Sequence, residues 1–224
     1  LAKFRDKVMG YRRIHNSIMD PLCGRAFKTR HWHLLFEKLG KPEPSHLDRI
    51  TVGDVYDLNP EANDAIFKEV LRVAQGEFAL ETFFEEINQR WKSYDLLVED
   101  HLIDFHRKCK LIRRWEEILS KINDDINMLV SMRLSPFFKE FVQKNRKWED
   151  RLNNIRVVSD IWIDVQRRYV YLEGIFTSNE DIRVKLPSES ERFNSVERSF
   201  VHLMREVEAR PQLLTIMDIS ELES

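Results

Sequence analysis

Cysteine is nearly missing from this chain. Cys23 and Cys109 are its only two, with no Cys-x-x-Cys spacing, which argues against a disulfide-stapled secreted scaffold and for a reducing compartment. No apolar run approaches the ~20 residues that a membrane helix requires. The first ten residues carry Lys3, Arg5, Asp6 and Lys7, which excludes a signal peptide. A soluble, cytosolic protein without membrane insertion is expected. A surplus of one charge is missing too: 36 Lys and Arg against 38 Asp and Glu leave a net charge of -2, too weak a cationic field to hold a nucleic-acid backbone. No initiator methionine is present, and the sequence reads as a piece of something longer.

What is there is material for a core. Apolar residues make up 42% and aromatics 11% of the chain, more than a disordered segment carries. The 33% of charged residues mix both signs, as when many helices each expose one wet face. Glycine and proline number six and seven in 224 residues, and most fall early: Pro21, Gly24, Gly40, Pro42, Pro44, Gly53 and Pro60. They cut residues 1–60 into short pieces. One piece, Arg25 to Leu39, is expected as a helix with Phe27, Trp32, Leu35, Phe36 and Leu39 on one side and Gly40 as its stop.

Residues 61–135 carry an apolar 3–4 spacing through Ile66, Val70, Val73, Leu80, Phe84, Ile87, Trp91 and Tyr94, which predicts a long amphipathic helix. Leu96 to Arg114 suits either a helix or two short strands around a polar turn at His106, Arg107 and Lys108, the hairpin having a slight edge. Helical spacing resumes at Trp115, Leu119, Ile122, Ile126 and Leu129, up to Ser135-Pro136.

Residues 136–224 hold the clearest periodicity. Phe141, Trp148, Ile155, Trp162, Tyr169 and Phe176 stand seven residues apart, a candidate packing core in the manner of a coiled coil. Asn145, Leu152, Val158, Val165 and Leu172 flank them, moving from four to three positions after the stripe, as a straight helix requires. With Gly174 as terminator, Phe137 to Glu173 becomes one helix about 55 Å long at about 1.5 Å per residue. A globule of this chain length is about 45 Å across. The expected fold is therefore mainly α, an elongated multi-helix bundle rod with long antiparallel helices and one short β-hairpin. Another helix is expected from Pro187-Ser188 to Pro211.

Catalytic groupings are missing. The only Gly-Lys pair, Gly40-Lys41, has Leu35 where a phosphate-binding loop needs its first glycine and Pro42 where it needs a hydroxyl. His31 and His33, two apart on a helix, point about 200° apart and cannot share a metal. Glu99, Asp100, His101, Asp104 and His106 contain no Glu-x-x-His pair and read as the polar rim of a turn. Trp148, Trp162 and Tyr169 could line a ligand groove, but at heptad spacing they read as helix-packing core. No catalytic, cofactor-binding or metal residue is assigned.

The run Trp162-Ile163-Asp164-Val165-Gln166-Arg167-Arg168-Tyr169-Val170-Tyr171-Leu172-Glu173-Gly174-Ile175-Phe176 resembles a signature of the dynein heavy chain linker. The resemblance continues through Asp181-Ile182, Leu186-Pro187, Glu189 and Phe193. Upstream it takes in Ser131 to Phe137, Trp148-Glu149-Asp150, Arg30-His31-Trp32, Leu39-Gly40 and Val73-Ala74-Gln75-Gly76-Glu77. Glycine at 174, behind Ile-Asp-Val-Gln-Arg-Arg, is similar to the cytoplasmic form rather than the axonemal one. Tyr94 to Asp100 is longer than the family's usual spacing. The resemblance implies a two-stranded hairpin between residues 94 and 114.

It also implies a lever lying across a ring of AAA+ ATPase modules made by the same polypeptide, in a minus-end-directed motor of the cytoplasm and cytoskeleton. ATP and magnesium would belong to that ring and no cofactor to this stretch. The parent would be a homodimer that meets dynein complex subunits, dynactin and microtubules. A spectrin-like helical scaffold explains the stripes equally well, but predicts self-similarity near one hundred residues, and the segments around Trp32, Trp91 and Trp162 do not resemble one another. An enzyme on a helical bundle lacks its ligands and nucleophile.

Overall fold

The computed structural model describes residues 2–44, 47–103, 108–178 and 180–217. Helix α1 (Ala2–Ile14) runs through a π-helical stretch, His15–Met19, into α2 (Asp20–Leu22). Then come α3 (Thr29–Leu39), a short 3-10 turn, α4 (Val52–Asp57) and α5 (Asp64–Lys92). Strands β1 (Val98–Leu102) and β2 (Lys108–Ile112) precede α6 (Trp115–Met132), a 3-10 turn at Phe138–Phe141 and α7 (Val142–Ser178). The described residues close with α8 (Glu180–Lys185), α9 (Pro187–Ala209) and α10 (Leu213–Ile216). It is mainly α with one antiparallel hairpin.

These elements form two compact units. The first holds Leu1–Phe84 together with Ser135–Glu140; the second holds Glu85–Leu134 and Phe141–Ser224. The grouping cuts across the three stretches marked by sequence punctuation, because α5 passes unbroken through the division and the loop after α6 belongs to the first unit.

In the first unit, Ile14, Ile18, Leu22, Leu35, Phe36, Val55, Phe67 and Val70 build a core to which every helix contributes. Helix α3 begins at Thr29 rather than Arg25. Gly24 and Phe27 are held in a turn by Gly24 N–H to Pro21 O and Phe27 N–H to Gly24 O, both 3.1 Å. Lys28 is extended at φ -115° and ψ 169°, yet Phe27 is still buried. Gly40 ends α3 in the left-handed conformation, φ 62°, where a side chain would be strained.

In the second unit, β1 pairs with β2 from Val98 opposite Ile112 to Leu102 opposite Lys108. Lys108 thus lies within β2, not in the turn. His106 and Arg107, the rest of that expected turn, lie outside the described residues. Leu96 N–H to Pro211 O at 2.7 Å and Leu213 N–H to Tyr94 O at 2.9 Å tie the residues before β1 to the start of α10.

Helices α6 and α7 are antiparallel neighbours: Asn145 meets Leu129 near one end, and Trp162 meets Trp115 at 6.1 Å near the other. Helix α7 has the expected 37 residues but a shifted frame. It starts at Val142, after the 3-10 turn, and runs through Gly174 to Ser178. Gly174 does not terminate it, since glycine permits a left-handed stop without enforcing one. Its continuation stacks Phe176 on Phe193 of α9, ring centroids 5.0 Å apart. Phe141, Trp148, Ile155, Trp162 and Tyr169 are buried; Phe176 is half-buried.

The flanking positions differ from expectation. The second row of buried residues keeps four positions after the first throughout: Asn145, Leu152, Ser159, Gln166 and Glu173. Val165 and Leu172 are exposed and Val158 is half-buried. A strict 3.5-residue repeat drifts about 20° per heptad around a helix of 3.6 residues per turn, so the premise for a straight helix is absent. The stripe instead passes from α6 to β2 and α9.

Candidate functional site

A buried polar side chain destabilises a helical core unless it finds a partner. His31, Glu77, Asp125, Asn145, Ser159, Gln166 and Glu173 are all buried, and most of them tie one element to another. They mark the joints of this molecule.

The joint of the first unit lies between α3 and α5. The Lys28 backbone N–H donates to His31 Nδ1 at 2.8 Å, which leaves the ring proton on Nε2, 3.0 Å from Glu77 Oε2. That tautomer lets one imidazole cap α3 and reach α5 together. Arg30 Nε also donates to Glu77, at 2.6 Å, while Arg30 Nη2 meets Glu81 at 3.1 Å and Lys28 Nζ pairs with Glu81. Burial, opposed by the Glu77 hydrogen bond, holds the His31 imidazole below its ordinary value. Burial pushes Glu81 the other way, but hydrogen bonds from Lys28 and Arg30 outweigh it and keep that carboxyl below the usual range.

One residue before Glu77, Gly76 provides a slot for Phe137. A Cβ on Gly76 would overlap the Phe137 ring, closer than any real contact. Arg30, His31 and Phe137, from three of the segments that carry the resemblance, therefore meet the neighbouring residues Gly76 and Glu77 within one turn of α5.

The second unit has a chain of such joints. Asp125 of α6 accepts from the indole N–H of Trp91 at 2.7 Å and from Arg90. Asn145 donates to Leu129 O at 2.9 Å, covering a carbonyl near the end of α6. Gln166 does more: its Oε1 accepts from Ile112 N–H and its Nε2 donates to Ile112 O, both at 2.9 Å. Its amide thus stands beside β2 as a third strand would. Glu173 reaches His101 of β1 at 3.3 Å. Burial pushes up the Tyr169 hydroxyl, with the Cys109 thiol beside it adding to the effect. Burial also raises the Cys109 thiol, against the pull of Tyr169. Tyr169 stacks on Phe200 of α9 at 4.2 Å.

The remaining candidates scatter. His33 is exposed and meets Glu43 at 2.9 Å, apart from His31. Glu99, Asp100 and His101 lie on β1, where Glu99 faces Arg113 at 3.4 Å and Asp100 faces Lys110 at 2.9 Å; Asp104 and His106 lie outside the described residues. Gly40-Lys41 is a helix stop whose lysine donates to Asp57 O at 2.8 Å. Among the described residues, no group of three or more His, Cys, Asp or Glu could hold a metal ion, and no helix is long and apolar enough to cross a membrane. The sequence reading missed Glu77, Asp125, Gln166 and Glu173 as joints. The available signal was polar residues recurring on an otherwise apolar stripe.

The family model for the dynein heavy chain, N-terminal region 2, matches residues 1–224. The chain is 38% identical over 208 residues to the cytoplasmic dynein heavy chain of Neurospora crassa, covering 93% of this chain and 5% of that one. The Drosophila melanogaster counterpart is 38% identical over 208 residues, covering 93% and 4% respectively. That of Paramecium tetraurelia is 37% identical over 220 residues, covering 98% and 5%. The chain thus spans only about a twentieth of the length of these relatives. With the family model matching its whole length and these relatives 37 to 38% identical over at least 93% of it, the chain belongs to the dynein heavy chain family.

Proposed function

We propose that this stretch is a mechanical linker, a lever that couples ATP-driven changes in the AAA+ ring of the same heavy chain to movement of its tail along microtubules. It acts in the cytoplasm, on the cytoskeleton, without chemistry of its own; ATP and magnesium are held by the ring. The parent works as a homodimer with dynein complex subunits and dynactin.

The observation that carries this reading is α7. Its 37 residues make a strut about 55 Å long, braced by α6 along one half and by β2 and α9 along the other. A lever transmits work only if it resists bending between its attachments, and a helix buried along a continuous stripe does so better than an isolated one. Polar pairs at the joints fix register as well as distance.

The test is deletion of residues 25–208 from the full heavy chain. ATP turnover should persist in part, since the phosphate-binding groups lie elsewhere, while directed gliding through the same tail attachment stops. Normal gliding by the deleted motor would reduce this stretch to a spacer and favour the helical-scaffold reading.

A further inference from the structure

The Trp162–Phe176 signature has two sides. Trp162, Gln166, Tyr169 and Glu173 face inward. Arg167 and Tyr171 face outward, one helical turn apart on a single face, and Tyr171 is 70% exposed. Packing does not account for these two. With Val170 they form one wall of a cleft whose other wall is the hairpin, through His101, Leu111 and Arg113.

The electrostatics of the cleft are one-sided. Arg167 has no carboxylate partner among the described residues. Arg113 meets Glu99 at 3.4 Å with both side chains about half exposed, a pairing that holds an arginine weakly. Glu173 is buried and turned to His101, and no carboxylate is among the residues that line the cleft. Two guanidinium groups, an open tyrosine and the half-buried Val170, above the buried Leu111, therefore line one groove. Arginine and tyrosine, with tryptophan, are enriched among the side chains that anchor protein–protein contacts, and a guanidinium fork fits a carboxylate bidentately.

We propose that this cleft is a docking site for an acidic polypeptide segment carrying a large apolar anchor. The carboxylates lie against Arg113 and Arg167, and the anchor rests on Val170 and the Tyr171 ring. This does not rest on the lever reading: the cleft can bind such a segment whether or not the stretch transmits force.

A phage-displayed random peptide library panned on the chain tests it, with the R113E/R167E double variant as counter-target. Both arginine side chains are exposed, so the variant should keep the parent's helical circular dichroism. Recovered peptides should be rich in Asp and Glu around an aromatic or aliphatic residue. They should lose about tenfold or more in affinity on the double variant and weaken with added salt. Tyr171→Ala should weaken them with both charges in place. The proposal is overturned if panning enriches nothing over background, if basic or neutral peptides dominate, or if acidic ones bind the double variant as tightly as the parent.

Discussion

Gln166 gives both ends of its side-chain amide to the backbone of Ile112, and neither of those groups is accessible to water once α7 covers β2. Replacing it by leucine keeps the bulk and removes both partners. Gln166→Leu should therefore cost about 2 to 4 kcal/mol, one unsatisfied buried donor and one acceptor, read as a lower urea midpoint with unchanged m-value. Loss of less than about 0.5 kcal/mol would mean that water replaces the amide. His31 makes a prediction of a different kind. Its folded value lies below the ordinary 6.5 through burial, so as pH falls the unfolded chain takes up the proton first. The stability tied to neutral His31 is complete above that ordinary value and drains away as pH drops through the folded one. Protonation also fills Nδ1, which then cannot accept from Lys28. Between pH 7 and pH 5 the parent should lose melting temperature more steeply than His31→Gln; parallel slopes would show that another group governs acid stability.

At the scale of elements, much was legible in the sequence. The lengths of α5, α7 and α9 follow from apolar spacing, since a stripe sustained for several turns admits few alternatives. The hairpin was harder, because Leu102, Ile103, Leu111 and Ile112 suit either period. Two features were not legible. Val158, Val165 and Leu172 look like better core residues than Ser159, Gln166 and Glu173 on hydrophobicity alone. Gln166 and Glu173 are inside because β2 offers backbone and β1 a ring partner at that register, and those partners are distant in sequence. Gly174 reads as a stop, yet the helix gains the Phe176–Phe193 stack by continuing. This correction has a direct test. Nothing lies within 4 Å of a Cβ built on Gly174, so Gly174→Ala should stabilise the chain by about 0.5 to 1 kcal/mol. A left-handed terminator would instead be strained by alanine, and a drop in melting temperature would restore that reading.

At the scale of the whole molecule, the contact between Gly76 and Phe137 matters because of where its partners sit in the chain. Alanine at Gly76 has higher helix propensity, but its methyl meets the Phe137 ring, so Gly76→Ala should destabilise, by about 1 to 3 kcal/mol as for other overpacked sites. On a Phe137→Ala background the same change should become neutral or favourable, a double-mutant cycle with a coupling well outside additivity. Additive effects would mean that the ring is easily displaced. The consequence reaches beyond stability, to how such a chain can be divided. The first unit is written in two instalments, one ending at Phe84 and the other spanning Ser135–Glu140, and the second unit is interrupted by the latter. No single cut separates them. A crossover or a truncation at the division inside α5 would deliver a first unit with an empty slot at Gly76 and a second with an unmatched insert, so each part should be less stable cut apart than in the undivided chain.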